Sequence, residues 1–265
     1  MKKGTTGFVV LGLLLLCGCQ DDARKIWREG IKKCAQSDLL GSGILYLGPS
    51  TRLGPGTIFQ RLSDGGLLPS HLASEYIKDQ SGVLDPGAPF TCAAHKEAKS
   101  KVSGKLDLSK LLSSDASLSG HLNRARTIDV KTDSLEWVSI VTGPYRKIIN
   151  DLDPNGQIRS DLGPGEHLVL TRALRVKGMS AELEFSKDAA VEVKATLPQN
   201  IGGLAGTGVN LAAEWQSDTK LKLTSTTDFF IAGELHRYRF GGLASVPKLL
   251  GEKVEDADKL HVVLK

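Results

Sequence analysis

The residues of this chain that could do chemistry are its histidines, and two of them have a carboxylate at short spacing. His71 and Glu75 lie four residues apart in a predicted helix and could share a metal ion or a proton. Glu234 and His236 alternate on a predicted strand and could form an acid-base pair. An ordinary polar pair on a helix or strand explains both spacings equally well. We therefore name no catalytic residue, no cofactor and no metal site.

Other catalytic patterns are incomplete. Ser217 to Lys220 has the spacing Ser-x-x-Lys of penicillin-binding enzymes, but it lies in a predicted turn, and the Ser-Asp-Asn and Lys-Thr-Gly motifs are missing. The glycine-dense segment 202–208 is not followed by a predicted helix that could bind a phosphate, so it favours a loop. The chain lacks the nucleophile elbow, the phosphate-binding P-loop and the His-Glu-x-x-His motif. An enzyme is therefore not the favoured class, and an envelope hydrolase is the weakest interpretation.

The amino terminus has the three-part layout of a secretory signal. Lys2 and Lys3 precede a short apolar stretch, 8–17, that is well below the roughly 20 residues a spanning helix needs. The stretch leads into Leu16-Cys17-Gly18-Cys19, and this tetrapeptide resembles the lipobox of bacterial lipoprotein precursors. The resemblance implies that residues 1–18 are removed and that Cys19 carries a diacylglycerol, a membrane anchor that palmitate labelling would reveal. In a Gram-negative host, Gln20 after the cysteine then implies the outer membrane.

The cysteine count agrees with an exported protein. The chain has four cysteines, of which cleavage would remove Cys17 and lipidation would use Cys19. The remaining two, Cys34 and Cys92, are predicted to form a disulfide in an oxidising compartment. Its loop of about 58 residues would contribute roughly 4 kcal/mol in the chain-entropy model. Two buried free thiols are the alternative. Cys92 and His95 supply two soft metal ligands without a second pair to complete a site.

Charge and hydropathy limit the partners. The precursor has a formal net charge of +4, which falls to +2 without the two leader lysines, too small to favour nucleic acid. No second apolar stretch reaches spanning length. The predicted partners are the membrane, through the anchor on Cys19, and an envelope protein or cell-wall component.

The elements that position these residues are predicted to be mainly strands. We expect a signal peptide at 1–18, a lipidated terminus with a short helix at 19–36, and one β-rich globular domain at 37–265, with a soft boundary near 95–101. The fold class is α+β, mainly an antiparallel, sandwich-like sheet with a few short helices. Helices are predicted at 70–78, 143–152 and 246–250.

The strand prediction rests on alternation with a period of two residues. The clearest hairpin runs from Met179 to Phe185 and returns from Ala189 to Leu197, with apolar residues at odd positions and mostly polar residues between them. A second hairpin is predicted from Val209 to Leu223.

Two functions are compatible with this sequence. The first is a lipid-anchored envelope protein with a binding or structural role. The alternative is a membrane-active protein whose amphipathic hairpins insert, because a spanning strand needs only about 9 to 11 alternating residues.

Overall fold

The central element of the fold is strand β7 (His167–Glu184), which pairs antiparallel with β2, β6, β10 and β11. The protein is seen in a computed structural model that describes residues 43–97, 125–162, 167–197, 200–203, 208–238 and 252–263. Because all four of these strands form hydrogen bonds with β7, this strand holds the sheet together.

Thirteen strands are present in these described ranges. They are β1 (Ile44–Ser50), β2 (Ile58–Arg61), β3 (Gly66–His71), β4 (Leu84–Pro86), β5 (Phe90–Glu97), β6 (Thr127–Ile140), β7, β8 (Asn200–Gly203), β9 (Asn210–Trp215), β10 (Lys220–Ser225), β11 (Phe229–Arg237), β12 (Glu252–Lys253) and β13 (His261–Val262). Among the strand pairs the structure describes, β3 with β13 is parallel and the others are antiparallel.

The helices are short. They are α1 (Ala73–Tyr76), α2 (Thr142–Asp151), α3 (Gln157–Leu162) and α4 (Lys187–Thr196), with a 3₁₀ turn at Ala257–Lys259. Helix α2 buries Tyr145 and Ile149, which are four residues apart and therefore share one face.

Strands β6 and β7 form the longest ladder. Their partners run from Thr127 opposite Glu184 to Ser139 opposite Arg172 without a change of register. At about 3.4 Å per residue this ladder is about 40 Å long. On the Glu184 side the sheet continues through β10 and β9, and on the Arg172 side β11 lies against β7.

Three hydrophobic clusters form the core. The largest joins β7, β9 and β10 to α4 and includes Met179, Leu183, Leu221 and Val193. A second lies among β1, β2, β3 and the 257–260 turn, and a third lies around α1, α2 and α3. Burial of apolar side chains on one side of each strand is what the alternating sequence dictates.

The predicted α+β class, mainly antiparallel with a few short helices, is confirmed. The helix expected at 143–152 is α2, and the expected second hairpin is β9 and β10 with a turn at 217–219. The helix predicted at 246–250 and the short helix predicted within 19–36 lie outside the described residues.

Two predicted elements are wrong. Residues Ala189 to Leu197 do not return as a strand, because 187–196 form α4. The Ser186 hydroxyl caps this helix by accepting a hydrogen bond from the Ala189 N–H at 3.3 Å. The helix expected at 70–78 shrinks to α1, since Ser70 and His71 remain in β3, where Ser70 donates to the Ile58 carbonyl at 3.2 Å.

Candidate functional site

The cysteines predicted from the sequence to matter lie mostly beyond the described residues. Cys19 and Cys34 fall outside them, and Cys92 lies on β5 with its backbone opposite Thr132. The lipid anchor and the Cys34–Cys92 disulfide therefore stay predictions.

His71 is part of a polar cluster, but its main partner is Asp161, which the sequence analysis missed. The His71 Nε2 atom lies 2.8 Å from Asp161 Oδ2, while His71 Nδ1 lies 3.7 Å from Glu75 Oε2. The Nε2 atom of His167 also lies near this carboxylate, 3.9 Å from Asp161 Oδ2. Because His71 and Asp161 are 90 residues apart, spacing alone could not have paired them.

The Asp161 cluster connects α3 to β3 and β7. Burial opposes ionisation of Asp161, but hydrogen bonds from His71 and Gln157 outweigh it, so the pKa of this carboxyl is lowered. Leu162 beside it is fully buried. Within the described ranges, no group of three or more His, Cys, Asp or Glu is arranged to hold a metal ion. The hydrogen bond between Asp161 and His71 joins α3 to β3.

Glu234 and His236 do not form an isolated acid-base pair. Glu234 Oε1 lies 3.6 Å from both Arg172 Nη1 and Lys253 Nζ. Burial lowers the pKa of His236, and Lys253 lowers it further, while Glu234 acts in the opposite direction. Glu234 is thus held by two cations rather than presented to a substrate.

The Ser-x-x-Lys tetrad is a turn between β9 and β10. The Ser217 hydroxyl accepts hydrogen bonds from the N–H groups of Thr219 at 3.3 Å and Lys220 at 3.1 Å. Its serine therefore shapes the turn and has no helical neighbour that could place Lys220 above it.

A buried ion cluster on β6 and β7 was not predicted. Glu136 is almost fully buried, and its Oε1 atom contacts Arg175 and lies 2.9 Å from Lys177 Nζ. Burial opposes its ionisation, but the hydrogen bonds from Lys177 and Arg175 lower its pKa overall. A glutamate within the apolar run 135–141, with cations on the facing strand, was the signal available in the sequence.

Three tyrosines form a second buried polar group beneath α1 and α2. The Tyr76 hydroxyl donates to the Gly56 carbonyl and lies 2.9 Å from the Tyr145 hydroxyl. Ring centroids of Tyr145 and Tyr238 are 6.1 Å apart. Burial raises the pKa of all three phenols, to about 12 for Tyr238 and further for the others. The group is neutral and packed, which is a structural role.

The most informative surface is the end of the sheet where β7, β10 and β9 meet α4. On one face, Met179, Ala181, Leu183, Leu221 and Leu223 are buried together with Val193 of α4. We call this side the α4 face.

The opposite side of the same strands, the wet face, carries polar residues. Register pairing places Asp129, Glu182, Lys222 and Glu214 in one row across β6, β7, β10 and β9. The two faces make these strands amphipathic, and α4 covers the apolar one.

Helix α4 itself has the alternation of a strand. Apolar residues continue in the phase of Met179 through Phe185, Ala189, Val193 and Leu197. In the helix these apolar residues no longer share one face. Val193 is buried, whereas Val191 is 68% exposed. A helix of two turns or more is expected to bury residues three and four apart. Some apolar residues of the alternating series, such as Val191, are therefore left exposed in the observed conformation.

No helix in the described part of the chain is long and apolar enough to cross a membrane.

Comparisons with known proteins give similarity to solved structures but no match to a protein family. No family model matches the chain, and no curated protein matches it. Among solved structures, the chain is similar to a bacterial gasdermin from Bradyrhizobium tropiciagri, with 12% identity and a TM-score of 0.44 over 83% of this chain and 92% of that one. A similarity at this level carries no functional argument.

Proposed function

We propose that this protein is a lipid-anchored protein of the bacterial cell envelope whose amphipathic strands insert into a lipid bilayer. Cys19 would carry the anchor after removal of residues 1–18, and the outer membrane would be its location. The lipobox-like ending and the short apolar stretch before it support this placement. The Cys34–Cys92 disulfide would then form in the oxidising compartment.

One observation carries the membrane-active part of the proposal: residues 187–196 are helical although their sequence alternates as a strand. If α4 extended, the segment from Met179 to Leu197 would become one continuous amphipathic strand. Nine odd positions in this segment are apolar, and Lys187 is the exception. The segment is longer than the roughly 9 to 11 residues that a strand needs to cross a bilayer.

The rest of the sheet end is already suited to this change. Release of α4 would uncover the α4 face, and lipid would replace the helix as its apolar neighbour. The register of β6 and β7 would keep the charged residues together on the wet face. That face would remain in contact with water. This one-sided pattern is that of strands which face lipid on one side and water on the other.

A binding or structural role on the same anchor is the second candidate. It is favoured by the row Asp129, Glu182, Lys222 and Glu214, in which both signs of charge occur on a paired and therefore rigid surface. Such a surface would suit an envelope protein or a cell-wall component.

A substitution pair distinguishes the two conformations of α4. Val191 and Ala195 are exposed in the helix, yet both would face lipid in the extended strand. Val191→Glu and Ala195→Glu should leave the folded protein intact and reduce membrane insertion. Thr196→Glu is the matched control, because it adds the same charge at an exposed helical position but would face water in the strand.

The measurement is release of a trapped dye from vesicles of phosphatidylethanolamine and phosphatidylglycerol by the processed, lipidated protein. We expect the wild type and Thr196→Glu to release dye and the two other variants to be at least about tenfold slower. Absence of release by the wild type at every protein-to-lipid ratio would overturn insertion and leave the binding role. Equal impairment of all three variants would also contradict it.

The anchor has its own test. Palmitate labelling and carbonate washing should give a labelled, membrane-retained wild type and an unlabelled, released Cys19→Ser variant. Retention of that variant in membranes, with no label in the wild type, would exclude the anchor.

A further inference from the structure

Helix α4 is held to the sheet by few buried side chains of its own. Ala190 and Val193 are its buried residues, with Ala189 and Leu197 packed at the edge of the same cluster. One valine and one alanine remove only a small apolar area from water. Contacts other than this small apolar face must therefore matter for keeping α4 in place.

Trp215 of β9 contacts residues at both ends of α4. Its ring lies 5.8 Å from the ring of Phe185, which directly precedes the helix cap Ser186. The Lys194 ammonium, in the last turn of the helix, lies 4.9 Å from the centroid of the Trp215 ring. One indole thus joins the entrance of the helix to its final turn.

The turn after Trp215 adds two polar contacts to the same two ends. The Phe185 N–H donates to the Thr219 carbonyl at 2.9 Å. Lys194 Nζ lies 3.3 Å from Asp218 Oδ1. We name Phe185, Lys194, Trp215 and Asp218 the Trp215 clasp.

We propose that the Trp215 clasp, which joins α4 to the tip of the β9–β10 hairpin, controls release of α4 from the sheet. This inference rests on the proposed function, in which α4 must leave before its residues extend. When the clasp opens, the helix loses its contacts at both ends and retains its small apolar face, so release follows. The hairpin tip is thereby the regulatory point of the fold.

The chemistry of the clasp makes release sensitive to salt. Asp218 is fully exposed and Lys194 is about one-third exposed, so dissolved ions screen their attraction. The cation–π contact also depends on the charge of Lys194. High ionic strength should therefore open α4 in the wild type, whereas a variant without the lysine charge should not respond.

Hydrogen–deuterium exchange of the full, processed chain tests the clasp without any membrane. Lys194→Met keeps the aliphatic stem and removes the charge, and Trp215→Leu keeps an apolar side chain and removes the ring. We expect amides of α4 to exchange about two- to fivefold faster in either variant. Lys187→Met is the control, since it removes the same charge from the exposed first position of the same helix.

Amides in the centre of β7 provide the internal reference and should be unchanged. At about 1 M salt, exchange of α4 should accelerate in the wild type and in Lys187→Met, but not in Lys194→Met. Unchanged α4 exchange in both clasp variants would overturn the clasp, as would equal acceleration in Lys187→Met.

Dye release separates this inference from the proposed function. If both are correct, Lys194→Met and Trp215→Leu release vesicle dye faster than the wild type, in proportion to their exchange. Faster exchange with no dye release by any protein would support the clasp and overturn insertion.

Discussion

Asp133 and Gly178 lie opposite each other where the β6–β7 ladder skips one pair, between Thr132 with Met179 and Ser134 with Lys177. Gly178 has a φ of +59°, a left-handed conformation that L side chains rarely adopt. On β7, Val176 and Met179 both enter the large cluster although they are three residues apart. The apolar side of the strand therefore changes its phase at Gly178.

Gly178→Ala should destabilise the protein because a Cβ atom would collide with the Asp133 carboxylate in an already unfavourable backbone conformation. We expect a loss of at least about 1 to 2 kcal/mol in urea unfolding. Asp133→Ala in the same background should recover the part due to the collision but not the part due to φ. A fully stable Gly178→Ala protein would contradict this account.

Removal of the Glu136 carboxylate should leave Arg175 and Lys177, whose side chains are about one-third exposed, without this buried partner. Glu136→Ala is expected to lose about 1.5 to 2 kcal/mol of unfolding free energy, because the water that reaches both cations limits the cost. Replacement by glutamine should cost less, because the amide oxygen still accepts a hydrogen bond. Chemical denaturation near pH 7 measures both, and Lys131→Ala, at an exposed position on β6, is the control.

The stabilisation from Glu136 should depend on pH in a defined direction. Its folded-state pKa is below the ordinary value of 4.5, so its contribution is complete above that value and is lost as pH falls through the lowered pKa. The stability difference between the wild type and Glu136→Gln should be largest near neutral pH and shrink below about pH 4. A difference that is independent of pH would exclude a charged Glu136.

Asp161→Asn should loosen α3 from the sheet. The folded-state pKa of Asp161 is lowered below 3.8. As for Glu136, its contribution to the stability of the fold is therefore present at neutral pH and is lost in acid. Hydrogen exchange of α3 should increase near pH 7, and its difference from the wild type should shrink as pH falls through the lowered pKa of Asp161. Glu75→Gln, whose carboxylate is more exposed and 3.7 Å from His71, should have a smaller effect.

The three buried phenols predict an unusual alkaline titration. Tyr76, Tyr145 and Tyr238 all have raised pKa values, so at about pH 11 the tyrosinate absorbance of the folded protein should correspond to no more than one of its four tyrosines. Unfolding in denaturant should release the full signal. Three or more tyrosinates in the folded protein at that pH would contradict the burial of this group.

Tyr145→Phe tests the same group by stability. The change removes the hydroxyl that lies 2.9 Å from the Tyr76 hydroxyl, while Tyr76 keeps the Gly56 carbonyl as its acceptor. We expect a modest loss of about 1 kcal/mol.

Strand alternation predicted part of the described sheet, because a period of two residues reports directly which side of a strand is buried. The β9–β10 hairpin shows this success: Leu221 and Leu223 are buried as expected, and Lys220 and Lys222 point the other way. The same rule failed at α4, where a capped segment rich in Ala, Glu and Lys folds as a helix despite its alternation. Local pattern and local propensity conflict there, and tertiary packing decides.

The contacts within the polar clusters could not be predicted from spacing. Asp161 meets His71 across 90 residues, and Glu136 meets Arg175 across 39. Such pairs depend on strand register and on how α3 lies against the sheet, which one sequence does not reveal. Glu75, at a helical spacing from His71, was the visible candidate and is the weaker partner.

The position of β7 has a consequence for how the chain acquires its structure. Its partners include β2, which begins at Ile58, and β11, which ends at Arg237, so long stretches of polypeptide must be brought together before the central strand is complete. Assembly from such distant contacts is slow, with large loop-closure costs preceding any gain. A polypeptide that folds slowly stays unfolded for longer, and this delay would favour the translocation that the proposed leader peptide requires.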